Sequence, residues 1–260
     1  MTGNAAHWFV DRHIAEGRGA KTAFEEAWEG GRQLTYGALA EGAGQVADAL
    51  TRSGISREAR AAMFVLDQIE FPQIFWGALK AGVVPVALNT LLSTDVYGAI
   101  LRDSRAAIAF VSQELWDVVA PAVQASPHLR HIVVIGPEAP EGTQSWEAFV
   151  AGTTPAETLE CSADEIAFWL YSSGSTGAPK GVRHVHSALR QTCDTFARQV
   201  LDIQETDKVF SAAKLFFAYG LGNGMSFPMS VGATSVLFNG RPTPDTVSHI
   251  LEAHQPTVYY

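Results

Sequence analysis

Short apolar runs and longer amphipathic segments alternate along the whole chain. The short runs predict strands, because about four to eight apolar residues bounded by turn residues are typical of a buried sheet. Eight runs fit this pattern, at residues 61–66, 83–88, 107–112, 131–135, 166–171, 208–212, 234–238 and 257–260.

The longer segments predict helices at residues 35–53, 67–81, 94–104 and 244–253. Thr35 can cap the first helix and Gly54 can end it, while Gly82 can end the second. Strand and helix alternation of this kind predicts an α/β fold with layered, mostly parallel sheets flanked by helices.

The chain is expected to divide into two α/β subdomains, residues 1–160 and 161–260. The boundary falls within residues 136–163, which open with a turn-rich stretch of glycine, proline and glutamate. Residues 29–32 predict a hairpin turn between a strand at residues 22–28 and a second strand that ends at Thr35. The last residues enter a predicted strand and stop, so the second subdomain is expected to be incomplete at its C-terminus.

Charge and composition narrow the class of protein. The formal net charge is -9 and no lysine or arginine cluster occurs, which argues against nucleic acid as a partner. Cys161 and Cys193 show no pairing pattern and no cysteine zinc motif, so a reducing cytoplasm is expected. No signal peptide pattern and no membrane-length apolar segment is present, so no membrane partner is expected.

The most informative motif lies at residues 171–182, directly after the apolar stretch 166–170, and reads Tyr-Ser-Ser-Gly-Ser-Thr-Gly-Ala-Pro-Lys-Gly-Val. Its glycines let backbone N–H groups approach anionic oxygens, its hydroxyls add donors, and Lys180 adds a compact positive charge. The combination predicts a loop that wraps a polyphosphate. A serine- and glycine-rich surface connection is the alternative interpretation.

Residue spacing excludes two familiar nucleotide motifs. A Walker loop needs a glycine before its lysine and a hydroxyl residue after it, whereas Lys180 lies between Pro179 and Gly181. The glycine cluster at residues 220–224 would need a glycine in place of Met225 to match the dinucleotide fingerprint.

The loop resembles the phosphate-binding motif of the AMP-forming adenylation superfamily, which includes acyl-CoA synthetases, luciferases and adenylation domains of peptide synthetases. Every position of residues 171–182 matches that motif. The resemblance implies the large N-terminal domain of an adenylate-forming enzyme, with catalytic roles for Thr176 and Lys180. It also implies that ATP is held by Ser172, Ser173, Gly174, Ser175, Thr176, Gly177 and Lys180.

A second segment, residues 211–224, combines aromatic and small residues after a predicted strand. Ligand sites of parallel sheets lie beyond the carboxyl ends of the strands, so this segment is expected near the phosphate loop. A packed core is the alternative for its aromatic residues. Ala218 and the neighbouring glycines would leave a flat slot, which suits a planar aromatic acid better than a long acyl chain.

Residues 214–223 and 240–245 look like the benzoate–CoA ligase branch of the superfamily, and the similarity runs over nearly the whole chain. The resemblance implies a small aromatic carboxylic acid as substrate, with ATP, Mg²⁺ and CoA, and a role in aromatic degradation. The acid would form an acyl-AMP and then an acyl-CoA. By this resemblance, the substrate would be bordered by Phe217, Ala218, Tyr219 and Gly220.

The later motifs of the family are not found before Tyr260. They are a second glycine-rich segment, an acidic Mg²⁺ ligand, an aspartate for the ribose, and a lysine in a small C-terminal domain. The chain is therefore expected to be an N-terminal fragment that needs the C-terminal region of the same enzyme. By itself it is expected to have little or no ligase activity.

The sequence is also compatible with other functions. A fatty-acid or amino-acid adenylating enzyme and a non-catalytic nucleotide- or aromatic-acid-binding module remain alternatives. A Ser-His-Asp hydrolase is disfavoured, because residues 174–177 have the wrong spacing for a nucleophile elbow. A Schiff-base role for Lys180 is disfavoured too, because hydroxyls and glycines do not desolvate a lysine.

Several tempting residues receive no catalytic role. His184 and His186 lack a third metal ligand nearby in sequence, so no metal-binding residue is assigned. Ser187 is a plausible cap for a helix that follows the loop. Asp67 and Glu70 are expected on solvated faces.

Overall fold

The computed structural model describes residues 3–173 and 179–260, and Ser173 by its backbone only. The strands in these ranges are β1 (Thr22–Glu26), β2 (Gln33–Thr35), β3 (Arg60–Phe64), β4 (Val84–Ala87), β5 (Ile108–Ser112), β6 (His131–Ile135), β7 (Gln144–Ser145), β8 (Ile166–Ser173), β9 (Pro179–Val185), β10 (Lys208–Phe210), β11 (Thr234–Leu237) and β12 (Val258–Tyr259).

Helices connect most of these strands. They are α1 (Arg12–Ala15), α2 (Tyr36–Arg52), α3 (Glu70–Lys80), α4 (Thr94–Ser104), α5 (Trp116–Gln124), α6 (Trp146–Val150), α7 (His186–Thr192), α8 (Ala218–Leu221), α9 (Phe227–Val231) and α10 (Pro244–His254). Wider π-type turns continue the helical path at His7–Asp11, Cys193–Ala197 and Gly222–Ser226, and a 3₁₀ turn lies at Gln113–Leu115.

The strands form two sheets. One has five strands in the order β12-β10-β11-β1-β2, and the other has seven in the order β7-β6-β5-β3-β4-β8-β9. Neighbouring strands run parallel except for the pairs β1–β2 and β8–β9. Both antiparallel pairs lie at a sheet edge, where a hairpin can add a strand without a crossover helix.

The seven-stranded sheet is covered by helices on both faces, and β3 shows how its sequence allows this. Ala61 and Met63 belong to the core that contains α2, α3 and β1, whereas Ala62 and Phe64 belong to the core beneath α4 and α5. Successive side chains of a strand point to opposite faces, so a strand covered on both sides is apolar at every position. The expected α/β fold with mostly parallel, layered sheets is confirmed.

The predicted helices agree closely with the observed ones. The Thr35 hydroxyl accepts a hydrogen bond from the Ala38 N–H at 3.1 Å, and Gly54 adopts a φ of 68° just beyond the end of α2. The predicted cap at Ser187 is wrong, because α7 already begins at His186 and Val185 occupies the cap position without a side-chain hydrogen bond.

All eight predicted strands are present, with ends shifted by a few residues, but β9 was not predicted. Its side chains are half-buried or exposed along the whole strand, so it lacks an apolar run or a clear alternation. It is the last strand of its sheet and begins with Pro179, a residue that edge strands accommodate. The phosphate motif therefore joins the two strands of a hairpin, and the helix follows only after β9.

Strands from both sides of residue 160 contribute to each sheet. The expected boundary segment, residues 136–163, contains β7 and α6. A subdomain boundary at residue 160 stays a prediction. Each of the two sheets contains strands from both sides of this position.

Candidate active site

The antiparallel pair β8–β9 carries the described part of the predicted phosphate loop. Ser172 on β8 lies opposite Lys180 on β9, and both residues are exposed. Their predicted contacts with ATP stay predictions. The other predicted positions lie outside what the structure describes: Gly174, Ser175, Thr176, Gly177 and the side chain of Ser173.

The exposed Lys180 ammonium group fits a phosphate ligand. Among residues 3–173 and 179–260, Lys180 has no ion pair and no side-chain hydrogen bond, in contrast to Lys80, which pairs with Asp11 at 2.6 Å. A lysine is a compact, hydrated point charge, and an unpaired one at the mouth of a loop can receive an anionic oxygen.

An open cleft of about 600 Å³ begins beside this hairpin, and we call it the outer cleft. Ser172, Tyr171 and Val182 line its hairpin side, and Val96 of α4 and Phe217 line the other sides. The cleft therefore brings the β8–β9 hairpin and the aromatic segment (residues 211–224) together, as the position of both after strand ends predicts.

A smaller cavity of about 140 Å³ adjoins the outer cleft, and we call it the inner cavity. Leu170, His184 and Ala218 contribute to the walls of both. Phe168 and Phe227 are among the remaining wall residues of the inner cavity. A closed apolar cavity of about 150 Å³ binds benzene, so this partly open space has enough volume for one aromatic ring.

The aromatic segment contributes unequally to these spaces. Phe217 and Ala218 line the outer cleft and Ala218 also lines the inner cavity, whereas Tyr219, 62% exposed, belongs to the described lining of neither. A Cβ on Gly220 would meet the carbonyl oxygens of Ala213 and Lys214 at 2.6 and 2.0 Å. Gly220 thus permits close backbone packing, and substrate contact by any of these residues stays a prediction.

The aromatic segment is anchored by a buried carboxylate. Asp67, 4% exposed, lies after β3 and accepts a hydrogen bond from the Leu215 N–H at 3.1 Å. Burial raises the pKa of Asp67 to about 6, against the opposing effects of nearby Lys214 and of the Leu215 N–H. The expectation that Asp67 is solvated is wrong, because the carboxyl end of β3 turns it inward against residue 215.

Glu70 is also buried, and the expectation of a solvated face for it is wrong. Arg32 donates to Glu70 at 2.6 and 2.9 Å and to Glu26 at 2.7 and 2.9 Å. These two carboxylates raise the pKa of Arg32, and hydrogen bonds from Arg32 and the Ile69 N–H lower the pKa of Glu26 in spite of its burial. The arrangement ties the β1–β2 hairpin to the start of α3, away from the outer cleft.

A third space, of about 640 Å³, lies on the other side of Phe217. It contains Lys214 and Arg241, which sequence reasoning did not assign to a site, and also Asp67. Burial lowers the pKa of Lys214, and its ammonium group donates to the carbonyl of Phe238. We call this space the basic cavity, since its two cations can attract an anionic group.

His184 and His186, which follow the loop, make different contacts. His184 stacks on Phe168 with ring centroids 4.6 Å apart, whereas the buried His186 accepts a hydrogen bond from the Ala5 N–H at its Nδ1 atom at 3.1 Å. Burial lowers the pKa of His186 to about 4 and lowers that of His184 as well. Within the described ranges, no group of three or more His, Cys, Asp or Glu side chains could hold a metal ion.

Comparison with known proteins identifies the family. Residues 11–260 match the AMP-binding enzyme family. The chain belongs to this family. The name of the family agrees with the prediction that a nucleotide binds beside the β8–β9 hairpin. No helix within the described ranges is long and apolar enough to cross a membrane.

Two of the curated relatives are named as ligases for aromatic acids. The chain is 48% identical to the 4-hydroxybenzoate–CoA/benzoate–CoA ligase of Rhodopseudomonas palustris, over 99% of this chain and 47% of that protein. It is also 48% identical to the benzoate–CoA ligase of Thauera aromatica, over 99% of this chain and 48% of that protein. The chain therefore spans about half the length of the curated relatives it matches.

Solved structures of the family show the same fold. The chain superposes on a benzoate CoA ligase from Burkholderia xenovorans LB400 with a TM-score of 0.89 at 40% identity, covering 99% of this chain and 50% of that one. It superposes on the anthranilate CoA ligase AuaEII, solved with anthranoyl-AMP, with a TM-score of 0.94 at 34% identity, covering 99% and 49%. The expected resemblance to the N-terminal portion of an adenylate-forming enzyme is confirmed.

Proposed function

We propose that this chain is the N-terminal part of an ATP-dependent aromatic carboxylate–CoA ligase. The observation that carries the proposal is the inner cavity, which has room for one aromatic ring and shares a wall with the outer cleft. The cleft in turn reaches Ser172 of the phosphate hairpin. The arrangement provides a place for the ring of the acid, a place for its carboxylate, and a place for the phosphates of ATP.

Distances along β8 support this arrangement. Leu170 on the shared wall lies two residues from Ser172, which is about 6.6 Å along a strand. A ring seated in the inner cavity therefore has the hairpin within reach of its carboxylate. Positioning of this kind supplies much of the rate enhancement in reactions at phosphorus, since the nucleophile and the leaving group must lie in line.

The chemical steps follow from these positions. A carboxylate oxygen attacks the α-phosphorus of ATP, a P–O bond breaks, and pyrophosphate leaves with negative charge that Lys180 neutralises. Mg²⁺ brought in with ATP would supply further charge neutralisation. Thr176 and the rest of the loop contribute further contacts to the phosphates. The sulfur of CoA then attacks the acyl carbon, loses its proton, and AMP leaves as the thioester forms.

We assign the approach of CoA to the basic cavity. Phe217 separates this space from the outer cleft, and Lys214 and Arg241 give it positive charge. CoA carries phosphate groups, so a cationic entrance next to the acyl-adenylate suits it. The two free thiols, Cys161 and Cys193, agree with a cytoplasmic enzyme.

The full-length protein that contains this chain tests the proposal. We expect formation of an aroyl-CoA thioester and pyrophosphate when it is incubated with MgATP, CoA and benzoate or a hydroxybenzoate. Higher kcat/KM for a fatty acid or an amino acid would contradict the aromatic assignment. Binding of ATP or benzoate without release of pyrophosphate would instead indicate a non-catalytic binding module.

A second measurement concerns the 260-residue chain alone. We expect it to form no thioester above a protein-free control, because the relatives extend to about twice its length. Robust turnover by this chain would show that residues 1–260 suffice for catalysis.

A further inference from the structure

Tyr171 lies across the β8–β9 hairpin, next to the exposed pair Ser172 and Lys180. It is paired with Gly181 on β9, and its ring covers that glycine: a Cβ on Gly181 would lie 3.1 Å from the Cζ atom of Tyr171 and 3.2 Å from its hydroxyl oxygen. Both distances are shorter than an ordinary van der Waals contact, so the ring lies closely on the strand only because residue 181 is a glycine. Since Gly181 directly follows Lys180, a fixed Tyr171 ring also fixes the part of β9 that carries this lysine.

The Tyr171 hydroxyl donates a hydrogen bond to the carboxylate of Asp103, near the end of α4. The Tyr171 side chain is half-buried and packs against the core beneath α4 and α5. Burial raises the pKa of Tyr171, and Asp103 raises it further, so the phenol keeps its proton near pH 7 and donates. The bond thus joins α4 to the hairpin, and both of these elements line the outer cleft.

Arg60 of β3 fixes the end of α4 that carries Asp103. Its guanidinium group donates to the Ser104 carbonyl at 2.6 Å, and the helix ends at Arg105 with a φ of 50°. The strand β3 lies between β5 and β4 inside the seven-stranded sheet, whereas β9 is the last strand of that sheet. The bond between Asp103 and Tyr171 therefore connects an edge hairpin to the interior of the sheet and limits its movement relative to the outer cleft.

Helix stability does not explain an acid at position 103. Asp103 lies in the last turn of α4, where the partial negative charge of the helix end disfavours a carboxylate. The side chain is exposed and has no ion pair within residues 3–173 and 179–260. The hydrogen bond from Tyr171 gives a reason for an aspartate at this position.

We propose that Asp103 is a positioning residue for ATP: through Tyr171, it holds the end of the β8–β9 hairpin so that Lys180 faces the phosphates. This inference rests on the proposed function, because it assumes that the hairpin binds ATP. The ring of the acid is assigned to the inner cavity, whose described walls include neither Asp103 nor Tyr171. Loss of the bond should therefore affect the use of ATP more than the binding of the acid.

The test measures kcat, KM for ATP and KM for benzoate in the full-length protein. Tyr171→Phe keeps the ring on Gly181 but removes the hydroxyl group. It should raise KM for ATP by about five- to tenfold, the effect of one lost hydrogen bond. KM for benzoate should stay within about twofold of the wild-type value.

Asp103→Ala should raise KM for ATP to the same extent. Charge alone predicts the opposite, because removal of a carboxylate near an anion site favours the binding of ATP. Asp103→Asn keeps an oxygen that accepts the Tyr171 hydroxyl, so its KM for ATP should lie within about twofold of the wild-type value. The double variant Tyr171→Phe/Asp103→Ala should be no worse than either single variant, since all three lack the same bond.

Asp95→Ala is the matched control, because Asp95 is an exposed aspartate in the first turn of the same helix. We expect it to leave KM for ATP unchanged. If the wild-type protein converts no aromatic acid, the proposed function fails. If it converts benzoate but neither Tyr171→Phe nor Asp103→Ala raises KM for ATP, only the present inference fails.

A general structural role would give a different result. In that case KM for ATP and KM for benzoate would rise equally in Tyr171→Phe, and the inference would be overturned. If Asp103→Ala is unstable in urea denaturation, the two KM values of Tyr171→Phe decide the outcome by themselves.

Discussion

The two ends of the β8–β9 hairpin differ in burial and in partners. At the loop end, Ser172 and Lys180 are exposed, and Lys180 has no ionic partner within the described ranges. At the other end, Phe168 is 3% exposed and stacks on His184, and His186 is bonded to Ala5. One hairpin thus provides unpaired groups for a ligand at one end and packing at the other, so substitutions at its ends should affect different properties.

The largest effect is expected at the packed end. Phe168→Ala removes a buried ring from the core and from the stack with His184, and should lower the free energy of unfolding by about 3–5 kcal/mol. Urea denaturation of the full-length protein measures this loss. Phe196→Ala, at an exposed phenylalanine, is the matched control and should cost much less. Equal losses in both variants would contradict the comparison.

At the loop end, Lys180→Ala should reduce kcat/KM for ATP by about 100- to 1,000-fold, because one charged contact to the developing phosphate charge is lost. The free energy of unfolding should change by less than about 0.5 kcal/mol, since the side chain is exposed. Steady-state kinetics and urea denaturation give the two values.

Arg183→Ala is the control for Lys180→Ala. Arg183 is an exposed cation on the same strand, three residues further along, so its side chain points to the opposite face. A similar loss of activity in both variants would show that general charge, and not the position of Lys180, supports ATP use.

At the packed end of the hairpin, the buried His186 predicts that the free energy of unfolding depends on pH. Its pKa is lowered from 6.5 to about 4 in the folded protein, so the unfolded chain takes up the proton first as the pH falls. The stability from neutral His186 is therefore complete above about pH 6.5 and is lost progressively toward pH 4.

His186→Asn removes this titration while an amide oxygen can still accept the Ala5 N–H. Between these pH values, the loss of stability on acidification should become shallower by about 1.4 kcal/mol per pH unit, the value for one proton. Urea denaturation at several pH values measures this change of stability per pH unit. His249→Asn, at an exposed histidine, is the control variant for the substitution itself.

Asp67 should make stability depend on pH in the opposite direction from His186, and by a smaller amount. Its pKa is raised from 3.8 to about 6 by burial, so the folded protein keeps this proton longer and stability falls as the pH rises through that range. Asp67→Asn removes this opposing contribution, and the loss of stability on acidification from pH 6 to 4 should become steeper, by about 1 kcal/mol per pH unit or less. A shallower loss in this variant would contradict the assigned burial effect.

The elements that the sequence predicted share a strong local signal. The helix at residues 94–104 and the strand at residues 131–135 have the predicted bounds, because their periodicity and their flanking residues agree. The strand β9 lacked such a signal, since an edge strand need not be apolar. The burial of Asp67 and Glu70 was missed because their partners, at residues 215 and 32, are distant in the chain.

The sequence alone determined the α/β class, the phosphate motif and its family, since these depend on residue types and on spacing within short segments. Only the tertiary structure decided what each side chain faces. It placed Ala218 and His184 on the walls of two spaces, and packed Gly220 against the carbonyls of residues 213 and 214. The physical reason is that a cavity is formed by several elements at once, whereas a motif is local to one.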